Sequence, residues 1–369
     1  MKIIFSTYDD IHNPYYAGGG SRAIHEVAKR LSSDRFQVIV LTANYPGAKN
    51  QTIDNVFYKR IGPSFIGPKL GQLIFHFILS FYVRREKFDV WVESFTPPFS
   101  TSCLQLFTNK PVVGLVHMLS AEDMERKYKI PFTVIEKRGL KTYRYFIVLT
   151  EKIKEKISSI NKEAKIFIIP NGVSLPNLTL PSPKRRGEKG RGEPYILFVG
   201  RLEFNQKGLD LLVAAYQISG IKEKLVIAGT GSDNDTKKLK ELINRHKLQE
   251  KIIFAGKVEG ERKDMLFRNT SAIVVPSRFE TFSMVVLEAM SYGKPMVGFD
   301  INGLKWVPED CMLKIKPFDS KKFGAAIEQI LRDKKLSLNL SLAARKHAGK
   351  YTWEETIKKY EEVFIALRK

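Results

Sequence analysis

Glu280 and Glu288 stand eight positions apart in VVPSRFETFSMVVLEAMSYGKPMVG, residues 274–298. Between them the amides of Phe282, Ser283 and Met284 open an expected helix, and amides at a helix N-terminus hold anions such as phosphate. Two carboxylates flanking an anion site suit a sugar nucleotide. One acid takes sugar hydroxyls, the other takes ribose hydroxyls, and the amides take the diphosphate. A plainer assignment leaves Glu280 as a helix cap and Glu288 facing solvent. Upstream, Arg201 and Lys207 bracket a loop after the apolar run YILFV. Two cations there can offset a diphosphate and stabilise it as a leaving group. His117 follows another apolar run, KPVVGLV. It therefore falls where open α/β sheets bind ligands, although an isolated histidine is more often structural.

The elements that must position these groups follow from periodicity. Ala272 to Val275 reads as a buried strand ended by Pro276. Ser283 then suits an N-cap for a helix over Met284 to Tyr292, with Gly293 at its C-terminal turn and Pro295 preventing continuation. Its near-continuous apolar face implies burial, and Glu288 among those residues needs donors. KIIFS (2–6) opens the chain as a strand, PYYAGGG (14–20) follows as a loop, and Ser21 suits the cap of a helix over SRAIHEVAKRL. FQVIVLT (36–42) completes a β-loop-α-β unit. Leu70 to Phe88 reads as an apolar helix with a basic end at Arg84, Arg85 and Lys87, leading into the strand DVWVE (89–93). It serves either as a crossover helix on a sheet or as a helix lying on a membrane surface. Strands are also expected at YFIVLT (145–150), in KIFIIPNGV (165–173, strand and turn), in LVIAGTGS (225–232, strand and glycine loop) and at KIIFAGKV (251–258), with helices over about 209–217, 318–332, 341–350 and 353–367.

Glycine placement adds backbone access to ligands. Gly18, Gly19 and Gly20, Gly200, and Gly229 and Gly231 lie in loops after strands, where the lack of a Cβ permits close approach. The first three fit neither G-x-G-x-x-G nor a P-loop, and a merely flexible loop is the alternative. Asp233-Asn234-Asp235 imitates a metal-binding Asp-x-Asp but opens a helix, where acids belong anyway. No metal is expected.

The order Glu, seven residues, Glu, then Ala-Met-x-x-Gly-x-Pro resembles the signature of family 4 retaining glycosyltransferases. Gly200-Arg201-Leu202, Lys207-Gly208 and Pro170-Asn171-Gly172-Val173 are similar to further motifs of that family. The resemblance spans Gly18 to Pro295. It implies an α/β chain with two Rossmann-like domains (GT-B) facing each other across a deep cleft. The expected limits are 1–175 for an acceptor domain, 176–193 for a linker and 194–352 for a donor domain, with the helix near 353–369 crossing back onto the first. It places Gly18–Gly20 between acceptor and donor diphosphate, His117 against the donor sugar, Arg201 and Lys207 on the diphosphate, and the backbone near Lys257 and Val258 around the nucleobase. The implied reaction is transfer from a nucleoside diphosphate sugar to a hydroxyl, with no cofactor. Three departures stand out. Met118 and Leu119 replace an acid that often follows the histidine, Thr150 stands where Ser is usual, and FDINGLKW (299–306) replaces a Gly-Gly-x-x-Glu segment.

Composition sets the remaining limits. The 369 residues suffice for two domains, and 43% hydrophobic with 27% charged residues describes a globular chain. Two distant cysteines, Cys103 and Cys311, suggest neither a disulfide framework nor a zinc site, so a cytoplasmic location is expected. MKIIFSTYDD does not read as a signal peptide, and LIFHFILSFYV (73–83) is too short to span a bilayer. A net charge of +22 favours anionic partners: an anionic membrane leaflet, a diphosphate substrate or nucleic acid. The basic segment 184–191 is read as a solvated tether. The acceptor is expected to be a saccharide, lipid-linked or of the cell envelope. A GT-B sugar-nucleotide epimerase and a basic nucleic-acid or anionic-polymer binder remain the alternatives.

Overall fold

The computed structural model describes residues 1–13, 18–96, 100–177 and 193–368. The chain divides into two compact units. Met1–Gly172 with Trp353–Lys369 form the first, and Val173–Thr352 the second. Most of the expected linker, 178–192, lies outside the described residues, as do 14–17 of the first glycine loop.

Eight strands build the first unit: β1 (Lys2–Thr7), β2 (Gln37–Ala43), β3 (Gln51–Ile53), β4 (Val56–Ile61), β5 (Val90–Ser94), β6 (Val112–Val116), β7 (Tyr145–Val148) and β8 (Lys165–Ile168). Their order is β3-β4-β2-β1-β5-β6-β7-β8, and every pair is parallel except the hairpin β3–β4. Runs such as IIF and VVGLV are apolar on both faces because helices cover a parallel sheet twice. The hairpin lies in a stretch with little periodic signal. Lys59 and Arg60 interrupt the apolar pattern of β4, and Arg60 is buried against Asp10, which follows β1, at 2.9 Å. Asp54 and Asn55 make its two-residue turn with φ of 48° and 62°, the left-handed pair that such hairpins require.

The second unit has six parallel strands: β9 (Tyr195–Val199), β10 (Lys224–Ala228), β11 (Ile252–Gly256), β12 (Ala272–Val275), β13 (Met296–Phe299) and β14 (Leu313–Ile315). Their order is β11-β10-β9-β12-β13-β14. Strand order reverses between β9 and β12, as it does between β1 and β5 in the first unit. Loops leaving adjacent strands in opposite directions open a crevice at such a point, which is where doubly wound sheets take ligands.

Several local expectations need correction. The first helix runs Gly19–Leu31, so Ser21 lies inside it and donates its hydroxyl to Gly18 O at 3.0 Å instead of capping it. Two preceding glycines remove the steric cost of entering the helix two residues early. The helix of the second acidic motif spans Met284–Ser291; Ser283 holds the N-cap position, but its side chain makes no capping bond. Gly293 does end it in the left-handed region, φ 58°. The predicted helix at 70–88 is Pro68–Arg85, with proline in the first turn. Asp233–Arg245 is a helix whose N-cap Ser232 accepts from Asp235 N, which accounts for the acids in its first turn. The C-terminal helix Trp353–Arg368 belongs to the first unit. Phe364 meets Phe5 edge-on, and the Arg30 guanidinium lies over the Trp353 ring.

Candidate active site

The loops after β9 and β12 carry the densest arrangement of the predicted side chains. Lys207 ends the short helix Phe204–Lys207 and donates Nζ to Glu280 Oε1 at 2.6 Å. Ser277 Oγ donates to the same oxygen at 2.7 Å, while Oε2 has no hydrogen bond to any described residue. Both side chains are largely buried, with relative exposures of 15% and 9%. Gly208 makes this approach possible. Its φ is 62°, and a Cβ there would stand 2.1 Å from Pro276 O, so any side chain would push the two loops apart. Lys207 Cδ also lies 3.8 Å from the Cβ position of Gly200.

Arg201 joins through Gln206, whose Oε1 accepts from the guanidinium at 2.8 Å. Its side chain is 70% exposed and also lies 3.8 Å from Glu203 Oε2. Gln206 O in turn accepts from Arg278 N at 2.8 Å, and Arg278 makes a bidentate pair with Asp210 at 2.7 and 2.9 Å. Arg278, Asp210 and Gln206 therefore lock the two loops in register, a role that their separation in sequence conceals. Three residues beyond Glu280, the amides of Ser283 and Met284 open the helix with no hydroxyl cap, leaving an electropositive end beside Glu280.

Glu288 lies just over one turn along that helix and pairs with Lys263 Nζ at 2.5 Å, on the helix Gly260–Asn269. It is neither unpaired nor simply facing solvent. Lys263 carries no motif that marked it beforehand. Phe282 is buried and stacks on Trp306, ring centroids 4.5 Å apart, and Trp306 meets Tyr351 edge-on. Trp306 belongs to the FDINGLKW departure. In the same segment Gly303 approaches so closely that a Cβ would lie 1.9 Å from Glu280 O. That segment therefore braces the backbone of the catalytic candidate.

The remaining glycines are explained by loops packing on loops. Gly229, φ 145°, would place a Cβ 1.8 Å from Gly200 O, and Gly231 would place one 2.2 Å from Leu202 O. Leu202 and Gly231 form an isolated bridge, and Gly229 N donates to Gly256 O at 2.7 Å. Val258 turns its side chain into the hydrophobic core, whereas Lys257 is 62% exposed and pairs loosely with Glu259.

In the first unit, Gly20 and His117 meet. A Cβ on Gly20 would be 3.8 Å from His117 Cδ2, and Gly18 likewise faces Asp9 Oδ2 at 3.4 Å. No described residue lies within 4 Å of the Cβ position of Gly19. Burial lowers the His117 pKa to about 4, and its Nε2 is shielded without a hydrogen-bond partner. Among the described residues nothing fills that ring nitrogen, and the imidazole is neutral. A second buried polar group stands behind β5. Tyr143 Oη and Ser102 N donate to the Glu93 carboxylate, the latter at 2.5 Å, and burial raises the Glu93 pKa to about 7.

Two doubly wound, mostly parallel sheets with the predicted side chains at the carboxyl ends of their strands define the class: a GT-B glycosyltransferase fold. The model for "Glycosyl transferases group 1" matches residues 182–347, and that for "Glycosyltransferase Family 4" matches residues 17–176. The chain belongs to this glycosyltransferase family. It is 26% identical to an uncharacterised glycosyltransferase of Methanocaldococcus jannaschii over 99% of this chain and 98% of that protein. It is 27% identical to a D-inositol 3-phosphate glycosyltransferase of Xylanimonas cellulosilytica over 56% of this chain and 52% of that one. Among solved structures, a sucrose-phosphate synthase from Thermosynechococcus elongatus superposes with a TM-score of 0.82 at 21% identity, covering 99% of this chain and 98% of the other. Anabaena HepE in complex with UDP-glucose superposes with a TM-score of 0.78 at 18% identity, covering 99% and 100%.

Proposed function

We propose that this glycosyltransferase is a retaining enzyme that moves a sugar from a nucleoside diphosphate sugar to a hydroxyl of a lipid-linked or cell-envelope saccharide. The observation that carries this reading is the Lys207–Glu280–Ser277 cluster beside uncapped helix amides at the β9/β12 reversal. Lys207 and Arg201 neutralise the departing diphosphate together with the amides of Phe282, Ser283 and Met284. Glu280 orients sugar hydroxyls through its unbonded Oε2, and Glu288 takes the ribose once Lys263 yields. His117 is assigned to the donor sugar, and the turn at Gly18–Gly20 to the acceptor side. Gly200, Gly229, Gly231, Lys257 and Val258 frame the nucleotide through backbone.

None of these groups is placed as a nucleophile, which favours front-face transfer. The anomeric carbon loses its bond to the diphosphate oxygen and bonds the acceptor oxygen on the same face, while the acceptor proton passes to the diphosphate. Two cations at the phosphates make a divalent ion dispensable. HepE crystallised with UDP-glucose, which favours a uridine donor here by analogy. None of the relatives named above bears an epimerase title, and the family assignment favours transfer over the nucleic-acid reading. A cytoplasmic location belongs to the proposal. Among the described residues, no helix is long and apolar enough to cross a membrane.

A panel of UDP-, GDP-, ADP- and dTDP-sugars in thermal-shift measurements, followed by NMR of the product anomer with the best donor, tests this. A stabilising donor and retained configuration support it. An inverted anomer removes the retaining assignment, and no response to any nucleotide sugar removes the donor assignment.

A further inference from the structure

A crossover helix lying on a sheet ordinarily buries one stripe and offers polar residues to water on the other. The helix Pro68–Arg85 departs from that rule. Phe75, Leu79 and Val83 form the buried stripe, each 2% exposed or less. On the outer side the exposed positions between 70 and 81 are Leu70, Leu73, Phe77 and Phe81, at 54%, 39%, 68% and 44%. Their spacing of three, four and four residues places them along one line of the helix. Phe77 and Phe81 meet edge-on with centroids 5.4 Å apart, so the line is a continuous apolar ridge. Phe65, 85% exposed, precedes it. The next exposed residues are Arg84, Arg85 and Lys87, while the acid among them, Glu86, is occupied by Lys59 and Lys2.

We propose that this ridge, with its basic end, docks the protein on the surface of an anionic lipid bilayer. Leucine and phenylalanine on one line of a helix with arginine and lysine at its end suit insertion at the headgroup boundary, where the apolar side chains leave water and the cations meet lipid phosphates. A chain of net charge +22 adds long-range attraction to such a surface. The ridge also begins beside the first unit's ligand loops. At its N-terminal end a Cβ on Gly71 would lie 3.3 Å from Tyr8 Oη, and Tyr8 leads into the loop that ends at Gly18–Gly20. An acceptor held in the bilayer would thus be presented near the loop assigned to it. The purpose of docking rests on the glycosyl-transfer reading, whereas the physical basis for docking does not.

Vesicle sedimentation tests the proposal. Full-length protein is mixed with vesicles of phosphatidylcholine alone, or of phosphatidylcholine and phosphatidylglycerol in equal parts, at low and high salt. Wild type should sediment with the anionic vesicles, weakly at high salt and little with the neutral ones. The double variant Phe77→Ser and Phe81→Ser should bind about a hundredfold more weakly. A charge variant, Arg84→Glu and Arg85→Glu, should lose salt-sensitive binding while keeping the ridge. Both alter exposed side chains, and thermal melts check that the fold survives. Nucleotide-sugar thermal shifts on the same samples separate the two proposals, because lost vesicle binding leaves them unchanged. Failure of wild type to bind anionic vesicles overturns docking, as does equal binding by the Phe77/Phe81 variant. So does light scattering that shows the ridge joining two copies instead.

Discussion

Lys207 Nζ donates to Glu280 Oε1 at 2.6 Å across 73 positions of sequence, and the pair ties together the loops on either side of the reversal in the second sheet. The lysine satisfies a carboxylate that would otherwise be buried at high cost.

Replacement of either partner should separate catalysis from folding. Glu280→Gln keeps the shape and should shift stability by about 1 kcal/mol or less while lowering transfer about 100- to 1,000-fold. Lys207→Met leaves Glu280 only Ser277 as a donor, and should cost about 1–3 kcal/mol in addition to activity. Urea melts and initial rates on purified variants check both; near wild-type transfer by Glu280→Gln would reject the assignment.

Gly208 offers a purely steric test. Gly208→Ala adds left-handed strain and drives a methyl into Pro276 O, so a loss above about 3 kcal/mol is expected. Gly47 also has positive φ, 81°, but nothing lies within 4 Å of its Cβ position. Gly47→Ala should therefore cost only about 1 kcal/mol, the strain alone. Equal costs at the two sites would show that loop contact at Gly208 is not what demands glycine.

The pH dependence of stability should carry two opposed contributions. Burial holds His76 and His117 neutral, with pKa values of about 4 instead of 6.5. The unfolded chain takes up protons in that window that the fold refuses, so stability falls as pH drops from 6.5 toward 4. Glu93 acts the other way. Burial raises its pKa from 4.5 to about 7, so its contribution is present below 4.5 and is lost as pH rises through 7. Glu93→Gln removes the second term, and its unfolding midpoint should climb more steeply than wild type between pH 5 and 7. Parallel profiles in urea would contradict the assignment to Glu93.

Chelation addresses the leaving group. With Arg201 and Lys207 available to the diphosphate, EDTA should change the transfer rate by no more than about twofold. A loss of activity restored by Mg²⁺ or Mn²⁺ would require a cation in place of one of these side chains.

Much of the architecture was legible in sequence because a parallel sheet buried on both faces writes itself as short apolar runs, as in IIF, VVGLV and AIVV. β4 was hidden because Arg60 is charged, and Asp10, fifty residues earlier, together with Lys49 O makes its burial tolerable. Helix starts were misjudged where a local rule was applied without its tertiary setting. Ser21 and Ser283 are good capping residues by type, yet neither hydroxyl caps its helix.

The linear order of residues determined the class of fold, the family, and the set of charged and glycine positions at strand ends, because each of these depends on local spacing. Tertiary structure alone decided which of those residues meet. It joined Lys207 to Glu280, gave Glu288 to Lys263, set Gly20 against His117, and turned Phe77 and Phe81 outward on a helix whose composition reads equally well as buried. Contacts across tens of residues depend on strand order and loop packing, and no short-range pattern encodes either.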